Sequence, residues 1–392
     1  EYWVANAEER AAVESLLTDD RKADFRRYSE LSGILRDQRT LNWRYDAVRE
    51  RMFGFIREIC EGYDIAGLEL DFMRHYRLFD DAMPADERRR IVLDFTRRVR
   101  KLLDETSPEG VHRWLSIRAP AYLSSLTPLG LDYPAMADAG VDIFNLSANF
   151  YTVQQSDYAV IKKMLPQSAA VYVEMTQTTS KGQDVIRRDV GDKGYSFRYT
   201  TPHQFWTTAH LAYSRGLSGV SLFNFQYYRE YGDLRRSALQ EPPFEMIDKL
   251  NHPDQLAKEG LHYFIGQSRN SYLPGYEPLL PKILSEGETA TLLMDIAPPE
   301  KPMEEFCRLR LQFKYPLTDQ QMEVRFNKKV MEPIEDVSEP FGLYNPILTG
   351  NETTLRAFRI PSSLILDGYS TIEVTLLSGE IAHLNYVDLE IK

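Results

Sequence analysis

The stretch that decides the fold is GYDIAGLELDFMRH, residues 62–75, in which two carboxylates interrupt an apolar run. Successive side chains of a β-strand point to opposite faces, so Leu68 and Leu70 share one face while Glu69 and Asp71 share the other. Acidic side chains that face a core are costly unless they are paired or take part in chemistry. The stretch therefore predicts a buried strand that ends in functional carboxylates.

Helices and strands alternate along the chain around this stretch. Apolar residues at steps of three and four predict helices, and short apolar runs predict strands. The predicted helices cover residues 42–61, 84–106, 130–140, 156–165 and 201–216, and the predicted strands cover residues 66–72, 113–120, 141–151, 169–177 and 218–228. In the first helix the predicted apolar stripe is Val48, Met52, Phe55, Ile56 and Ile59. Strict alternation predicts parallel strands that are joined by crossover helices.

Two α/β architectures fit this alternation, an open doubly wound sheet and a (β/α)8 TIM-type barrel. No G-x-G-x-x-G or G-x-x-x-x-G-K-[ST] motif follows a strand, which disfavours a nucleotide-binding sheet. Polar residues instead lie at the carboxyl ends of several strands, where barrel enzymes carry their chemistry. We therefore predict a (β/α)8 barrel with an antiparallel β-sandwich on its C-terminal side.

The N-terminal strands of this barrel are incomplete. If residues 218–228 form strand eight, residues 66–72 form strand four, and one βα unit needs about 30 residues. The first 60 residues are too few for three units, so we predict strand three at RTLNW, residues 39–43, and recognise no first or second strand.

The character of the chain changes near residue 270. Proline-rich connectors such as LPGYEPLLP, residues 273–281, frame short alternating runs that are typical of an antiparallel β-sandwich. Such a domain either binds glycans or supports the barrel. We expect three parts: an N-terminal segment at residues 1–40 with a partial barrel start, a barrel catalytic domain at 41–270 and an accessory sandwich at 271–392.

Polar side chains recur on the predicted inner face of four successive strands. They are Glu69 and Asp71, then Arg118, then Asn145 and then Glu174. Glycoside hydrolysis needs one carboxylic acid to protonate the leaving oxygen and a second carboxylate to attack the anomeric carbon or to activate water. An arginine can hold one acid ionised. The alternative is a structural ion-pair network around Arg118.

YDIAGLELDFMRHYRLF, residues 63–79, resembles the DGIELDFMRHP strand of bacterial family-10-like glycosyl hydrolases, a group of barrel proteins. The segments NWRYDAVRERMFGFIREICEGYD, LSIRAP, GVDIFNLSANFY and LAYSRGLSGVSLFNF resemble other parts of that family in the same order. The resemblance covers roughly residues 40–270, and a C-terminal β-domain is usual in the group. This chain departs from the family at its N-terminus, where the opening barrel strands are not recognised.

The resemblance implies a poly- or oligosaccharide substrate and a two-carboxylate mechanism. By analogy with retaining barrel glycosidases, Asp71 or Glu69 would be the acid/base and Glu174 the nucleophile. Retention needs carboxyl groups ~5 Å apart and inversion ~6.5–9.5 Å, so the stereochemistry stays open. The alternative is a non-catalytic glycan-binding or structural protein on a decayed barrel.

Further polar and aromatic residues near the strand ends are candidates for binding the sugar. The predicted substrate-binding set is Arg74, His75, Arg118, Asn145, Asn149, Tyr151, Asn224 and Tyr227. No H-E-x-x-H or similar spacing exists, so we expect no catalytic metal and no cofactor. The absence of G-x-S-x-G disfavours Ser/His/Asp hydrolysis.

Composition excludes several other partners. A net charge of −11 argues against a nucleic-acid binder, which would need a basic face. No run approaches the ~20 apolar residues of a membrane span. Cys60 and Cys307 lie far apart, which disfavours a disulfide framework. Export to the periplasm or the cell exterior is the expectation for a polymer-degrading enzyme, and the oligomeric state stays open.

Overall fold

The structure is a computed structural model that describes the greater part of the chain. The described residues are 15, 18, 19, 22, 41–73, 76–80, 82–181, 197–226, 241–266, 273–341 and 352–392. Their contacts divide them into two compact units. Unit 1 contains the described residues of Glu1–Asn145, Lys163–Ala170 and Leu273–Gly275, and unit 2 those of Leu146–Lys162, Val171–Tyr272 and Tyr276–Lys392.

The first half of the described chain alternates between helices and strands. Its elements are α1 (Asp46–Gly62), β1 (Gly67–Asp71), α2 (Ala85–Thr106), β2 (Trp114–Pro120), α3 (Leu126–Leu129), α4 (Tyr133–Asp138), β3 (Ile143–Ser147), α5 (Tyr158–Met164), β4 (Ala170–Thr176), β5 (Thr178–Lys181), β6 (Phe197–Tyr199), α6 (Pro202–Ser214), β7 (Gly219–Phe223) and α7 (Pro253–Leu256). Short 3-10 helices lie at Leu123–Ser125 and Phe244–Lys249.

The second half consists almost entirely of strands. They are β8 (Leu261–Ile265), β9 (Lys282–Leu284), β10 (Thr289–Ile296), β11 (Phe306–Phe313), β12 (Gln321–Phe326), β13 (Lys329–Val330), β14 (Glu332–Ile334), β15 (Leu355–Pro361), β16 (Gly368–Ser378) and β17 (Ala382–Ile391), with 3-10 turns at Glu352–Thr354 and Ser362–Leu364.

The predicted parallel sheet is confirmed. Its five strands follow the order β1-β2-β3-β4-β7, and parallel registers pair β1 with β2 and β4 with β7. The described residues form these five strands and do not show a closed eight-stranded barrel. β5 and β6 make a separate two-stranded antiparallel sheet.

The predicted third strand at residues 39–43 is wrong where the structure describes it. Residues 41–45 are coil and turn, and residues 39 and 40 lie outside the described part. The side chain of Asn42 accepts the N–H of Arg44 at 3.0 Å, and the N–H of Trp43 donates to the carbonyl of Leu78 at 2.8 Å. Asparagine favours such local turns because its side chain competes for backbone N–H groups. The segment therefore leads into α1 as a turn.

The apolar stripe of α1 differs from the predicted one. Its buried residues are Val48, Phe53, Ile56 and Cys60, whereas Phe55 and Ile59 are exposed. The stripe is thus rotated by about one residue, because the ring of Phe53 meets Phe95 of α2 edge-on with centroids 6.1 Å apart. Helical periodicity predicted the helix correctly. The contact with α2 determines which of its side chains are buried.

Two antiparallel sheets follow in unit 2, as the alternating runs predicted. One has the strand order β10-β16-β12-β13, and the other has β14-β15-β11-β17-β8 with β9 also paired to β17. Alternate residues of β10 are buried, and both sheets contribute to one hydrophobic core. β8, which precedes the predicted boundary at residue 270, pairs with β17. The domain boundaries stay a prediction.

A buried ion network fixes the six-stranded sheet. Arg310 on β11 lies directly opposite Asp388 on β17 and donates to it at 3.0 and 2.7 Å. Glu339 also accepts from Arg310 at 3.1 Å, and the imidazole of His262 lies 3.1 Å from Asp388. Burial alone would raise the pKa of Asp388, but the charge of Arg310 and the hydrogen bonds hold this pKa well below its ordinary value.

Helix α6 is anchored to this sheet. It begins with a capping box, in which Thr201 accepts the N–H of Gln204 at 3.2 Å and Gln204 accepts the N–H of Thr201 at 3.0 Å. The other end of the Gln204 amide donates to Tyr386 at 2.8 Å, and Thr207 accepts the N–H of His262 at 2.7 Å. The helix is therefore tied to β8 and β17 by buried polar contacts.

Replacing Asp388 by Asn should lower the free energy of unfolding by about 3 kcal/mol, because Arg310 would keep its buried charge without this partner. The folded pKa of Asp388 lies below its unfolded value of ~3.9, so its contribution is complete above about pH 4 and is lost as the pH falls through the folded value. Urea unfolding at pH 7 and pH 3 should show a smaller difference in stability between variant and wild type at pH 3.

Glu332→Gln is the matched control. Glu332 forms an exposed ion pair with Arg359 at 3.8 Å, so this change should alter stability by less than about 0.5 kcal/mol. Equal stabilities of wild type and Asp388→Asn at pH 7 would contradict this view.

His203 in α6 gives a second pH dependence. Its ring stacks on Phe341 at 3.9 Å, and burial, together with the neighbouring His262, lowers its pKa to about 4. Because the unfolded histidine has a pKa of ~6.5, the unfolded chain binds this proton more tightly, and stability declines as the pH falls from 6.5 to 4. His203→Phe keeps the stacking without the titration, so urea midpoints should depend less on pH over this range. A decline as steep as that of wild type would assign the effect to other groups.

Candidate functional site

The predicted carboxylates of unit 1 lie on β1, each beside a partner on β2. The register pairs Glu69 with Ser116 and Asp71 with Arg118. The hydroxyl of Ser116 donates to Glu69 at 2.9 Å, and Arg118 donates to the two carboxylate oxygens of Asp71 at 3.1 and 3.2 Å. All four side chains therefore share one face, as strand alternation predicts.

The expectation that Glu69 and Asp71 are buried is wrong. Glu69 is exposed, and the side chain of Asp71 is 41 % exposed, whereas the side chain of Arg118 is only 4 % exposed. Solvation removes most of the cost of the two carboxylates, so their presence does not by itself require chemistry. The ion pair of Asp71 with Arg118 fits both a structural network and a functional site.

The third predicted acid, Glu174 in unit 2, is buried. It lies on β4 and is 2 % exposed. The hydroxyl of Ser147, the last residue of β3, donates to its Oε1 at 2.6 Å. Burial raises the pKa of Tyr158 well above its ordinary value, and the charge of Glu174 raises this pKa further. Burial of a carboxylate is costly unless hydrogen bonds or opposite charges in the protein stabilise it. A buried carboxylate without enough of them indicates a functional site.

Two asparagines of unit 2 follow parallel strands and have the left-handed conformation. Asn149, after β3, has φ +64°, and Asn224, directly after β7, has φ +56°. Asparagine tolerates this region better than most residues. The N–H of Asn149 donates to the hydroxyl of Ser147 at 2.9 Å. Both predicted binding residues thus lie at carboxyl ends of parallel strands, where α/β proteins bind ligands.

Threonine hydroxyls hold the loop after β3 in place. Thr176 and Thr178 donate to the carbonyl of Phe150 at 2.9 and 2.7 Å. The hydroxyl of Thr152 donates to the carbonyl of Thr176 at 2.8 Å, and Thr200 donates to the same carbonyl at 2.8 Å. These side chains are buried, so the loop that carries Asn149 is tied to the end of β4 by several hydrogen bonds.

A small cleft also lies in unit 2, lined by Thr152, Gln154, Phe264, Tyr276 and their neighbours. The amide of Gln154 donates to the carbonyls of Gln204 and His262 at 3.3 and 3.1 Å and accepts the N–H of Phe264 at 2.8 Å. Because backbone partners occupy this amide, the Gln154 side chain offers little to a ligand in the cleft.

The structure describes most of the predicted site residues, including Glu69 at the Ser116 hydroxyl and Asn224 after β7. Asp71 with Arg118 in unit 1, and Glu174 with the turn at Asn149 in unit 2, form the local clusters described above. Asn145 and Tyr151 are buried near the end of β3. Arg74, His75 and Tyr227 lie outside the described residues.

Ser147 and Ser116 were not predicted as site residues. The sequence places Ser147 on the same face as Asn145, and a serine two positions before an asparagine at a strand end is typical of a serine turn. This pattern could therefore have indicated Ser147 from the sequence. Nothing comparable singles out Ser116.

Within the described ranges, no three His, Cys, Asp or Glu side chains are grouped so that they could hold a metal ion. Cys60 and Cys307 are buried free thiols. None of the helices described here combines the length and the apolar content that a membrane crossing requires.

Neither a protein-family model nor a curated protein matches the chain. Among solved structures it is similar to Group II chitinase catalytic domain 2 of Ostrinia furnacalis, with 12% identity over 57% of this chain and 73% of that chain and a TM-score of 0.37. A chitinase of the Yersinia entomophaga toxin complex gives 12% identity, 57% and 55% coverage and a TM-score of 0.35. A β-porphyranase of glycoside hydrolase family 86 from Bacteroides plebeius gives 10% identity, 80% and 75% coverage and a TM-score of 0.26. These neighbours are glycoside hydrolases.

Asp71→Asn should lower the free energy of unfolding by about 1–2 kcal/mol, because the buried guanidinium of Arg118 loses a charged acceptor. Glu69→Gln on the same face of β1 is the matched control, and its exposed side chain should cost less than about 0.5 kcal/mol. Urea unfolding of both variants measures the difference. Equal stability of the two variants would mean that Asp71 contributes no more to the fold than Glu69 does.

Proposed function

We propose that the chain is a glycoside hydrolase that cleaves a poly- or oligosaccharide by a two-carboxylate mechanism on a (β/α)8 barrel of the family-10-like group. The observation that carries the proposal is Glu174, a carboxylate that is 2 % exposed near the end of a parallel strand and hydrogen-bonded by Ser147 at 2.6 Å. Parallel strands present their functional side chains at this edge. The resemblance of residues 63–79 to the family strand supports the same conclusion.

In this proposal Glu174 is the nucleophile, and Asp71 or Glu69 is the acid/base. The acid/base protonates the glycosidic oxygen while Glu174 attacks the anomeric carbon, so that the leaving sugar departs with the proton. A water molecule then attacks the anomeric carbon while the acid/base removes its proton, so that a new bond from water to the sugar forms as the bond between sugar and Glu174 breaks. In the inverting alternative the second carboxylate activates water directly. Both schemes need the same residues.

The remaining predicted residues would bind the sugar. Amide and guanidinium groups match sugar hydroxyls because they supply fixed donors and acceptors. Arg118, Asn145, Asn149 and Asn224 have this chemistry in the described part of the chain, and Arg74, His75, Tyr151 and Tyr227 complete the proposed set. The proposed partner is a carbohydrate, and export to the periplasm or the cell exterior is part of the proposal.

Release of reducing sugar over a panel of neutral and acidic polysaccharides tests the function. Wild type should cleave at least one polymer, and Glu174→Gln should lose about 1,000-fold in kcat, because a nucleophile is removed with little change in shape. Asp71→Asn and Glu69→Gln identify the acid/base, since only the variant that lacks it should fall by a similar factor. Glu332→Gln, an exposed acid on β14, is the control and should match wild type.

Two other outcomes would contradict the proposal. Cleavage that survives in Glu174→Gln would remove Glu174 from the mechanism. If no polymer is cleaved but one is bound equally by wild type and all variants, the chain is the non-catalytic glycan-binding alternative, and its acids are structural.

A further inference from the structure

The hydroxyl of Ser147 joins two parts of the proposed site. It donates to Oε1 of Glu174 at 2.6 Å and accepts the N–H of Asn149 at 2.9 Å. Ser147 is fully buried at the end of β3. One oxygen atom is therefore in contact with both the proposed nucleophile and the turn that carries a proposed sugar-binding residue.

The direction of these hydrogen bonds follows from the groups themselves. A backbone N–H can only donate, so the contact with Asn149 uses a lone pair of the Ser147 oxygen. The single hydrogen of the hydroxyl then remains for Glu174, whose oxygen accepts it. A separation of 2.6 Å lies in the range of charge-assisted O–H···O⁻ hydrogen bonds. The arrangement is suited to a charged carboxylate acceptor.

The same contacts restrict movement on both sides of the hydroxyl. A glutamate carboxylate rotates over a broad range about its last bond when nothing holds it. The bond from Ser147 fixes one oxygen of Glu174, and the strand holds Ser147 itself. On the other side Asn149 has φ +64°, and the next residue, Phe150, has a carbonyl that accepts from Thr176 and Thr178. The turn is thus tied down on both sides of Asn149.

We infer that Ser147 is a positioning residue, which holds the carboxylate of Glu174 in the orientation for attack and couples it to the turn at Asn149. This inference rests on the proposed function. Ser147 touches no reacting atom in the proposed mechanism and acts through Glu174. Misplacement of a reacting group by about 1 Å costs on the order of 100-fold in rate, so loss of the hydroxyl should be visible in kcat.

The test compares Ser147→Ala, Ser147→Thr and Ser370→Ala on a polymer that wild type cleaves. Ser370 is a matched control, because it is a fully buried strand serine of unit 2 whose hydroxyl accepts from Asn327 at 3.2 Å. Ser147→Ala should lower kcat by about 10–100-fold. KM should change by less than about threefold, because Thr176 and Thr178 still hold the turn through the carbonyl of Phe150. The acid limb of its kcat/KM profile should move to higher pH, because a hydrogen bond to the charged carboxylate has been removed. Ser147→Thr restores a hydroxyl and should recover most of kcat.

A structural role alone would lower thermal stability without moving the pH profile, so melting temperatures are measured beside the kinetics. The inference is overturned if Ser147→Ala keeps kcat within about twofold of wild type or keeps the wild-type pH profile. If Glu174→Gln is inactive while Ser147→Ala matches wild type, the inference fails and the proposed function stands. If wild type cleaves nothing, or Glu174→Gln stays active, the proposed function fails and the inference falls with it.

Discussion

A charge that leaves water must be compensated inside the fold, and unit 2 meets this constraint at two carboxylates, Asp388 and Glu174. Asp388 is matched by Arg310, which stands directly opposite it in the ladder of β11 and β17. Glu174 receives the hydroxyl of Ser147 from the neighbouring strand β3. A slip of one residue in either pairing would turn the partner to the other face of the sheet. The buried carboxylates therefore help to select the strand register. They also depend on this register, because only it places their partners within reach.

The two carboxylates are connected through helix α6. Asp388 lies beside His262 on β8, whose backbone N–H donates to Thr207 of the helix. The apolar side of α6 packs in one cluster with Met175, the residue that follows Glu174 on β4. Alternation puts Met175 and Glu174 on opposite faces of the strand, so packing of one face presents the acid on the other. The antiparallel sheets thus help to place a side chain of the parallel sheet.

Local sequence patterns were enough to predict most helices and strands. They did not predict which side chains of these elements are buried or what those side chains contact. Residues 201–216 carry their own capping box and apolar periodicity, so this helix could be predicted without knowing the fold. Alternation placed Glu69 and Asp71 on one face, but their exposure depends on what covers that face, which no local rule contains. Ser147 shows the same limit, because its hydrogen bond is to Glu174, 27 residues away along the chain. Of the predicted strand at residues 39–43, the described residues 41–43 form no strand, because the side chain of Asn42 accepts a backbone N–H and favours a turn.

The unequal exposure of the acids fits the unequal duties that the proposed mechanism gives them. In the proposed mechanism the acid/base takes its proton back from the attacking water, and the candidates Glu69 and Asp71 lie on an exposed face that water can reach. A nucleophile needs a fixed orientation and gains from an environment that is poor in water, which strengthens its electrostatic interactions. Glu174 is buried and held by Ser147. The expectation of two equally buried acids on β1 missed this difference, and the difference makes the proposed assignment of roles chemically consistent.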